Sequence, residues 1–83
     1  MILADQIRQY VLHNLIMPAR ATGLKQVTVR AGDVHQAVGL VNRMPAVCSA
    51  LDAHKFLSYA SVKLISRSGP RQGADAQWVF GCH

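Results

Sequence analysis

The fold prediction rests on residues Val27–Ala53, VTVRAGDVHQAVGLVNRMPAVCSALDA. A very short strand, Gln26–Arg30, is predicted at the start of this stretch, because two valines alternate there with polar residues, as in a half-buried strand. A short helix is predicted next, from about residue 32 or 33 to Val38, because apolar residues lie one turn apart on one face. Gly39 is a natural stop for this helix, since glycine readily adopts the left-handed conformation that ends many helices.

A second helix is predicted after a tight turn, from about Arg43 to Ala53. Asn42 is a good N-cap residue, and Pro45 is tolerated because it falls in the first turn. The apolar residues recur at i, i+3, i+4 and i+7, which marks the buried face. These residues are Met44, Val47, Cys48 and Leu51.

The N-terminal part of the chain is predicted to form a helix from about Leu3 to Ile16. Apolar residues recur there every four positions, at Leu3, Ile7, Val11 and Leu15, which is typical of one helix face. Pro18 disfavours helical geometry in the residue before it, so the helix is predicted to end at Met17 or just earlier.

A hairpin is predicted near the C-terminus, from the strands Val62–Arg67 and Ala76–Phe80. Alternation places Ala76, Trp78 and Phe80 on one face of the second strand. The loop between the strands, SGPRQGAD, is rich in turn-forming residues. The first strand of the chain is too short to stand alone, so it is predicted to pair onto this hairpin.

These elements predict one α+β domain, residues 1–83, with three helices and a two- or three-stranded antiparallel sheet. Residues 56–60 are predicted to link the last helix to the hairpin. The expected core consists of Ile7, Val11, Leu15, Val34, Val38, Val47, Leu51, Leu64 and Trp78.

The composition favours a packed cytoplasmic protein. Hydrophobic residues make up 51% of the chain, which suits a globule rather than a disordered segment. No apolar run approaches the roughly 18–20 residues that a membrane span needs, and the N-terminus lacks the features of a secretory signal. Cys48 and Cys82 set no disulfide framework and are expected to stay reduced.

The charge balance points to an acidic partner. Nine Lys and Arg face four Asp, which gives a formal net charge of +5 and a pI near 9.9. Such a short basic chain attracts polyanions and speeds their encounter. A homodimer is also compatible with the sequence, because a domain of this size has only slim stability by itself.

From Leu3 to Phe80 the chain resembles the winged helix-turn-helix family. The resemblance rests on the order of the elements and on the run VTVRAGDVHQAVGL, followed by Asn42-Arg43-Met44-Pro45 at the start of the next helix. In that family the second helix of the pair enters the major groove, and the hairpin loop, called the wing, contacts the backbone or the minor groove. The resemblance therefore implies a small winged-helix protein that binds double-stranded DNA, as in transcription regulation.

The resemblance places the recognition helix at about residues 43–53. Its outward face is expected to carry Asn42, Ala46, Ser49, Ala50 and Ala53, with Arg43 beside it. Small side chains let a helix backbone approach base edges closely. The same face would instead pack on another helix if the small residues were structural.

The wing is placed at about residues 67–73, where Arg67, Arg71 and Gln72 are expected to contact DNA. Gly69 and Gly73 are expected to allow close approach to it. The other candidates for phosphate contacts are Thr28, Arg30, His35, Lys55 and Lys63.

Two other functional classes are weighed against DNA binding. The sequence lacks metal-ligand spacing, a Gly-rich phosphate loop and a Ser/His/Asp or Cys/His signature, so no enzyme, metal or cofactor is expected. The alternative is a protein-interaction or dimerisation module without DNA binding. In that case Tyr10, Trp78 and Phe80 would form an exposed aromatic patch.

Overall fold

Over residues 2–82 the architecture is α+β, with four helices and a three-stranded antiparallel sheet. A computed structural model describes residues 2–82 of the chain. The elements are α1 (Leu3–Val11), a π-helical turn (Leu12–Ile16), α2 (Met17–Ala21), β1 (Gln26–Arg30), α3 (Ala31–Val38), α4 (Met44–Asp52), α5 (His54–Ala60), β2 (Lys63–Ser68) and β3 (Gln77–Gly81). The first three segments form one continuous helix. None of the helices in this part of the chain is long and apolar enough to cross a membrane.

The N-terminal helix was predicted to end before Pro18. This prediction is wrong, because the helix continues to Ala21. A proline in a regular helix lacks a donor and clashes with the carbonyl four residues earlier. Here Pro18 follows the wider π turn and lies in the first turn of α2, where its missing N–H is tolerated. The π turn adds one residue, so the buried face passes from Val11 to Ile16 and leaves Leu15 only half-buried.

The sheet has the order β1–β3–β2, and both pairs are antiparallel. Val29 of β1 lies opposite Trp78 of β3, so the predicted pairing of the first strand onto the hairpin is confirmed. β2 is an edge strand with an irregularity between Leu64 and Ser66. Leu64 is 45% exposed there, so its predicted burial is wrong.

One hydrophobic core joins the sheet to the helices. Trp78 and Phe80 of β3 are fully buried, and the Phe80 ring lies 5.1 Å from that of Phe56 in α5, centroid to centroid. An exposed aromatic patch that includes these two β3 residues is therefore excluded. Six of the predicted core residues are buried: Ile7, Val11, Val34, Val47, Leu51 and Trp78. Val38 is only half-buried.

Residues 56–60, predicted to link the last helix to the hairpin, belong instead to the helix α5, His54–Ala60. Ala53 has extended backbone dihedrals, which separate α5 from α4. The C-terminus of α5 is capped by Arg20, whose Nη2 donates to the carbonyl oxygens of Ala60 at 2.6 Å and Ser61 at 2.7 Å. A cation is also favoured there by the helix dipole.

Candidate functional site

The exposed face of α4 differs from the predicted one by about one position. Pro45, Ser49 and Asp52 are exposed, whereas Ala50 is 1% exposed and Ala46 is half-buried against the core. α4 packs against both α1 and α3, so its apolar surface is wider than the i, i+3, i+4 pattern indicated. The outward placement of Ala46 and Ala50 is therefore wrong, and Ala50 is not available to a groove.

Ala50 is held in place by a side chain from α1. Nε of Arg8 donates to the carbonyl oxygen of Ala50 at 3.1 Å, and Nη1 of Arg8 donates to the Asp5 carboxylate at 3.3 Å. Arg8 is 8% exposed. The small side chain at position 50 thus lets α1 and α4 pack closely. At this position the small residue packs against another helix, which is the alternative to a contact with DNA.

A cleft separates α4 from the loop that follows β2. Its volume is about 350 Å³, and its lining residues are Cys48, Ser49, Asp52, Ala53, Arg71 and Gln72. The structure thereby brings together three of the predicted contact residues, Ser49 from the helix and Arg71 and Gln72 from the loop. A cleft of this volume between a helix and a basic loop is large enough to receive a phosphate group.

Arg67 does not point freely into this cleft, contrary to the expectation of a DNA contact. Its Nε lies 3.1 Å from Oδ1 of Asp52, and its guanidinium carbon lies 4.9 Å from the centroid of the Trp78 ring. Asp52 Oδ1 also accepts from Nε1 of Trp78 at 2.7 Å. Arg67, Asp52 and Trp78 thus form one network that ties β2 and β3 to α4.

The two wing glycines serve the loop itself. Gly69 has a φ of 84°, and a Cβ at this position would collide with the carbonyl oxygen of Asp75. A Cβ on Gly73 would lie 2.6 Å from Cγ of Pro70. Both glycines are therefore required by the packing of the loop, and this accounts for them without a close approach to DNA.

Every acidic residue of the chain is paired with an arginine. The pairs are Asp5–Arg8, Asp33–Arg30, Asp75–Arg30 and Asp52–Arg67, at 3.3, 3.2, 2.7 and 3.1 Å. Arg43 and Arg71 belong to the predicted interface, are exposed, and have side chains with no partner among residues 2–82. Because each of the four aspartates is already paired, these two arginines leave the surface near α4 positively charged.

Arg30 and Thr28 lie away from the cleft. Both residues alternate with the buried Val29 on β1 and therefore lie on the sheet face opposite the core. The Arg30 guanidinium donates a hydrogen bond to Asp75, and this bond raises the pKa of Arg30. Desolvation opposes the shift, and the charge of Asp33 adds to it. Arg30 is thus engaged with carboxylates, and the structure does not bring Thr28 to the helix.

His35 and Asn42 shape the turn before α4. Nε2 of His35 accepts a hydrogen bond from the backbone N–H of Arg43 at 3.1 Å. Asn42 has a φ of 54°, in the left-handed region, and the N-cap position of α4 is Arg43 with no side-chain cap. The predicted N-cap role of Asn42 is therefore wrong, because His35 satisfies a donor at this helix start instead.

Lys55 lines a different cavity. This cavity has a volume of about 190 Å³ and lies between α1 and α5, with Asp5, Arg8, Gln9 and Tyr59 as its other lining residues. Lys63 lies opposite Gly81, at the end of the sheet away from the wing. Neither lysine joins the cleft beside α4.

Cys48 lies at the base of the cleft as a buried thiol, 1% exposed, with Sγ 3.9 Å from the carbonyl oxygen of Gly73. Burial raises the pKa of Cys48; the charge of Arg67 opposes this shift and that of Asp52 adds to it. A thiol held neutral is a poor nucleophile. Among residues 2–82, no three His, Cys, Asp or Glu side chains are grouped as metal ligands.

Asp52 is the residue that the sequence analysis missed. It is the one acidic residue on the predicted recognition helix, where a lone carboxylate would repel phosphate. A carboxylate on a helix that faces phosphate indicates that a cationic side chain lies next to it. Arg67, at the end of the predicted strand Val62–Arg67, was available for this role.

No family model, curated protein or solved structure matches this chain.

Proposed function

We propose that the protein binds double-stranded DNA as a winged-helix domain, with the exposed face of α4 and the wing, residues 67–73. The observation that carries this proposal is the cleft in which Ser49 of the helix lies opposite Arg71 and Gln72 of the loop. Because Asp52 is paired with Arg67, no free carboxylate opposes a phosphate there. The net charge of +5 favours the encounter with a polyanion.

Arg71 and Arg43 take different roles in this proposal. Arg71 lies on a loop that can follow the DNA backbone, so it contacts a phosphate. Arg43 lies at the N-terminal end of α4, roughly 9 Å along the helix from Ser49 at about 1.5 Å per residue. A cation is unfavourable at a helix N-terminus, and a nearby phosphate or a guanine edge offsets that cost.

The corrected outward face of α4 still suits a groove. Pro45 and Ser49 are small side chains on the exposed side of the helix, so the helix backbone can approach base edges. The Ser49 hydroxyl can donate to or accept from either a base or a phosphate. Ser49 is therefore the central position of the proposed contact, and Ala50 is not part of it.

The test is duplex binding measured by fluorescence anisotropy over a series of salt concentrations. The wild-type protein should bind a random duplex with an affinity that falls as salt rises. Arg71→Gln should flatten the slope of log affinity against log salt by about 0.9. Lys63→Gln is the matched control, because it removes the same charge at the opposite end of the same hairpin and should leave the slope unchanged.

Ser49→Glu tests the helix directly. The Ser49 side chain is exposed, so the fold should persist, while an anion on this face should abolish binding. Gln6→Glu adds the same charge on an exposed position of α1 and should bind as the wild type does. If the wild type fails to bind at low salt, or Ser49→Glu binds at full strength, the interaction-module alternative becomes the better account.

A further inference from the structure

The wing is wrapped around a single side chain. Nη1 of Arg67 donates to the carbonyl oxygens of Ser68 and Pro70, each at 2.9 Å, and approaches that of Gly69 at 3.4 Å. Nη2 donates to the carbonyl oxygen of Arg71 at 2.9 Å. Four consecutive carbonyl groups therefore converge on one guanidinium, and three of them, those of residues 69–71, lie beyond Ser68, where the pairing of β2 with β3 ends.

The same guanidinium is fixed to the helix. Nε and Nη2 of Arg67 reach the two carboxylate oxygens of Asp52, at 3.1 and 3.3 Å, which is the paired geometry that a planar guanidinium allows. Asp52 is oriented in turn by Nε1 of Trp78, and the Trp78 ring lies under the guanidinium. Because Trp78 is fully buried, the network is anchored in the core.

No donor of Arg67 remains for DNA. A guanidinium has five N–H donors, and the contacts to Asp52 and to the loop carbonyls occupy all three of its nitrogens. Arg71 shows the opposite pattern, since its carbonyl is bound by Arg67 while its side chain is exposed at the cleft. Holding the Arg71 backbone thus determines where the Arg71 side chain can reach.

We propose that Arg67 is a positioning residue that preforms the wing for binding, whereas Arg71 makes the phosphate contact. This inference rests on the proposed DNA binding. A preformed loop binds more tightly because its ordering cost is met before the complex forms. Lysine cannot replace Arg67, because a single ammonium group lacks the planar fork that contacts Asp52 and the loop at once.

The experiment compares Arg67→Lys, Arg67→Gln and Arg71→Gln in the full chain. Amide hydrogen exchange without DNA reports the order of the wing at Ala76, whose N–H donates to the carbonyl oxygen of Gly73 at 3.1 Å. Both Arg67 variants should raise exchange there by on the order of tenfold, while Arg71→Gln leaves it unchanged. This readout does not need DNA binding, so it tests the positioning role even if the proposed function fails.

Salt-dependent anisotropy then separates positioning from phosphate contact. Arg67→Lys, which keeps the positive charge beside Asp52, should weaken binding by about tenfold at every salt concentration, with the wild-type slope, whereas Arg71→Gln should flatten the slope. Since Arg67→Lys keeps the charge, it also serves as the second variant if Arg67→Gln unfolds. Wild-type exchange in Arg67→Lys, or a slope flattened by Arg67→Lys as much as by Arg71→Gln, would overturn the proposal.

Discussion

Replacing Asp52 by alanine should destabilise the fold, because it leaves a buried donor without an acceptor. Nε1 of Trp78 donates to Asp52 at 2.7 Å, and Trp78 is 0% exposed. Among residues 2–82, every buried side-chain nitrogen and oxygen has a hydrogen-bond partner. Asp52→Ala would introduce an exception in the middle of the network that joins α4 to the sheet.

The magnitude follows from the two interactions that Asp52 makes. A hydrogen bond to a charged group contributes about 1.5–3 kcal/mol. The ion pair with Arg67 adds at most about 1 kcal/mol, because the Asp52 side chain is 40% exposed and solvent screens the charges. Asp52→Ala should therefore lower the free energy of unfolding by about 2–4 kcal/mol, and Asp52→Asn, which keeps a neutral acceptor, by about 1 kcal/mol.

The assay is urea denaturation at neutral pH, with Asp75→Ala as the matched control. Asp75 also pairs with an arginine, but its side chain is 79% exposed, so its loss should be hardly measurable. A double-mutant cycle with Trp78→Phe isolates the hydrogen bond, since phenylalanine has no N–H to satisfy. If Asp52→Ala costs no more than Asp75→Ala, or costs the same in the Trp78→Phe background, the hydrogen bond does not stabilise the fold as argued.

Four further outcomes are expected. Leu51→Ala should cost about 2–5 kcal/mol in thermal or urea unfolding, because Leu51 is 2% exposed, whereas Leu64→Ala on the exposed edge should change little. Ala50→Glu should unfold the domain, visible as loss of the far-ultraviolet circular dichroism signal, because Ala50 is 1% exposed under Arg8; a folded variant would contradict the packing of α1 on α4. Gly39→Ala should cost about 1 kcal/mol, because Gly39 has a φ of 79° without steric crowding; an unchanged melting temperature would show that the turn relaxes. Because burial raises the pKa of Cys48, its contribution to stability should be complete below the ordinary thiol pKa and lost as pH rises through the folded-state pKa, a fall that should be absent in Cys48→Ala.

The spacing of apolar residues along the sequence predicted the fold well for strands and helices that bury only one face. Alternation located β3 to within a residue and placed Ala76, Trp78 and Phe80 correctly on the buried face. Gly39 ends α3 in the left-handed conformation, as expected. The π turn was not predictable in this way, because Leu15 and Ile16 are both apolar, and only packing selects which of them faces the core.

The site was harder to predict because its residues have two plausible environments. A small residue such as Ala50 suits a close approach to DNA and a close helix contact equally well, and α1 provides the contact. An arginine such as Arg67 suits a phosphate and a carboxylate equally well. Its partner, Asp52, is 15 residues away along the chain. Only the fold brings the two side chains together, so no local sequence pattern predicts the pair.

The π turn also indicates how the N-terminal helix can change in length during evolution. A π turn holds one residue more than the regular helix needs, so the spacing of five from Val11 to Ile16 behaves as a one-residue insertion. Deleting an exposed residue within it, such as His13, would restore the regular spacing but place Pro18 inside an unbroken α-helix. The deletion should therefore be accepted together with Pro18→Ala and rejected alone. In homologous chains, the extra residue and the proline should be gained or lost as a pair.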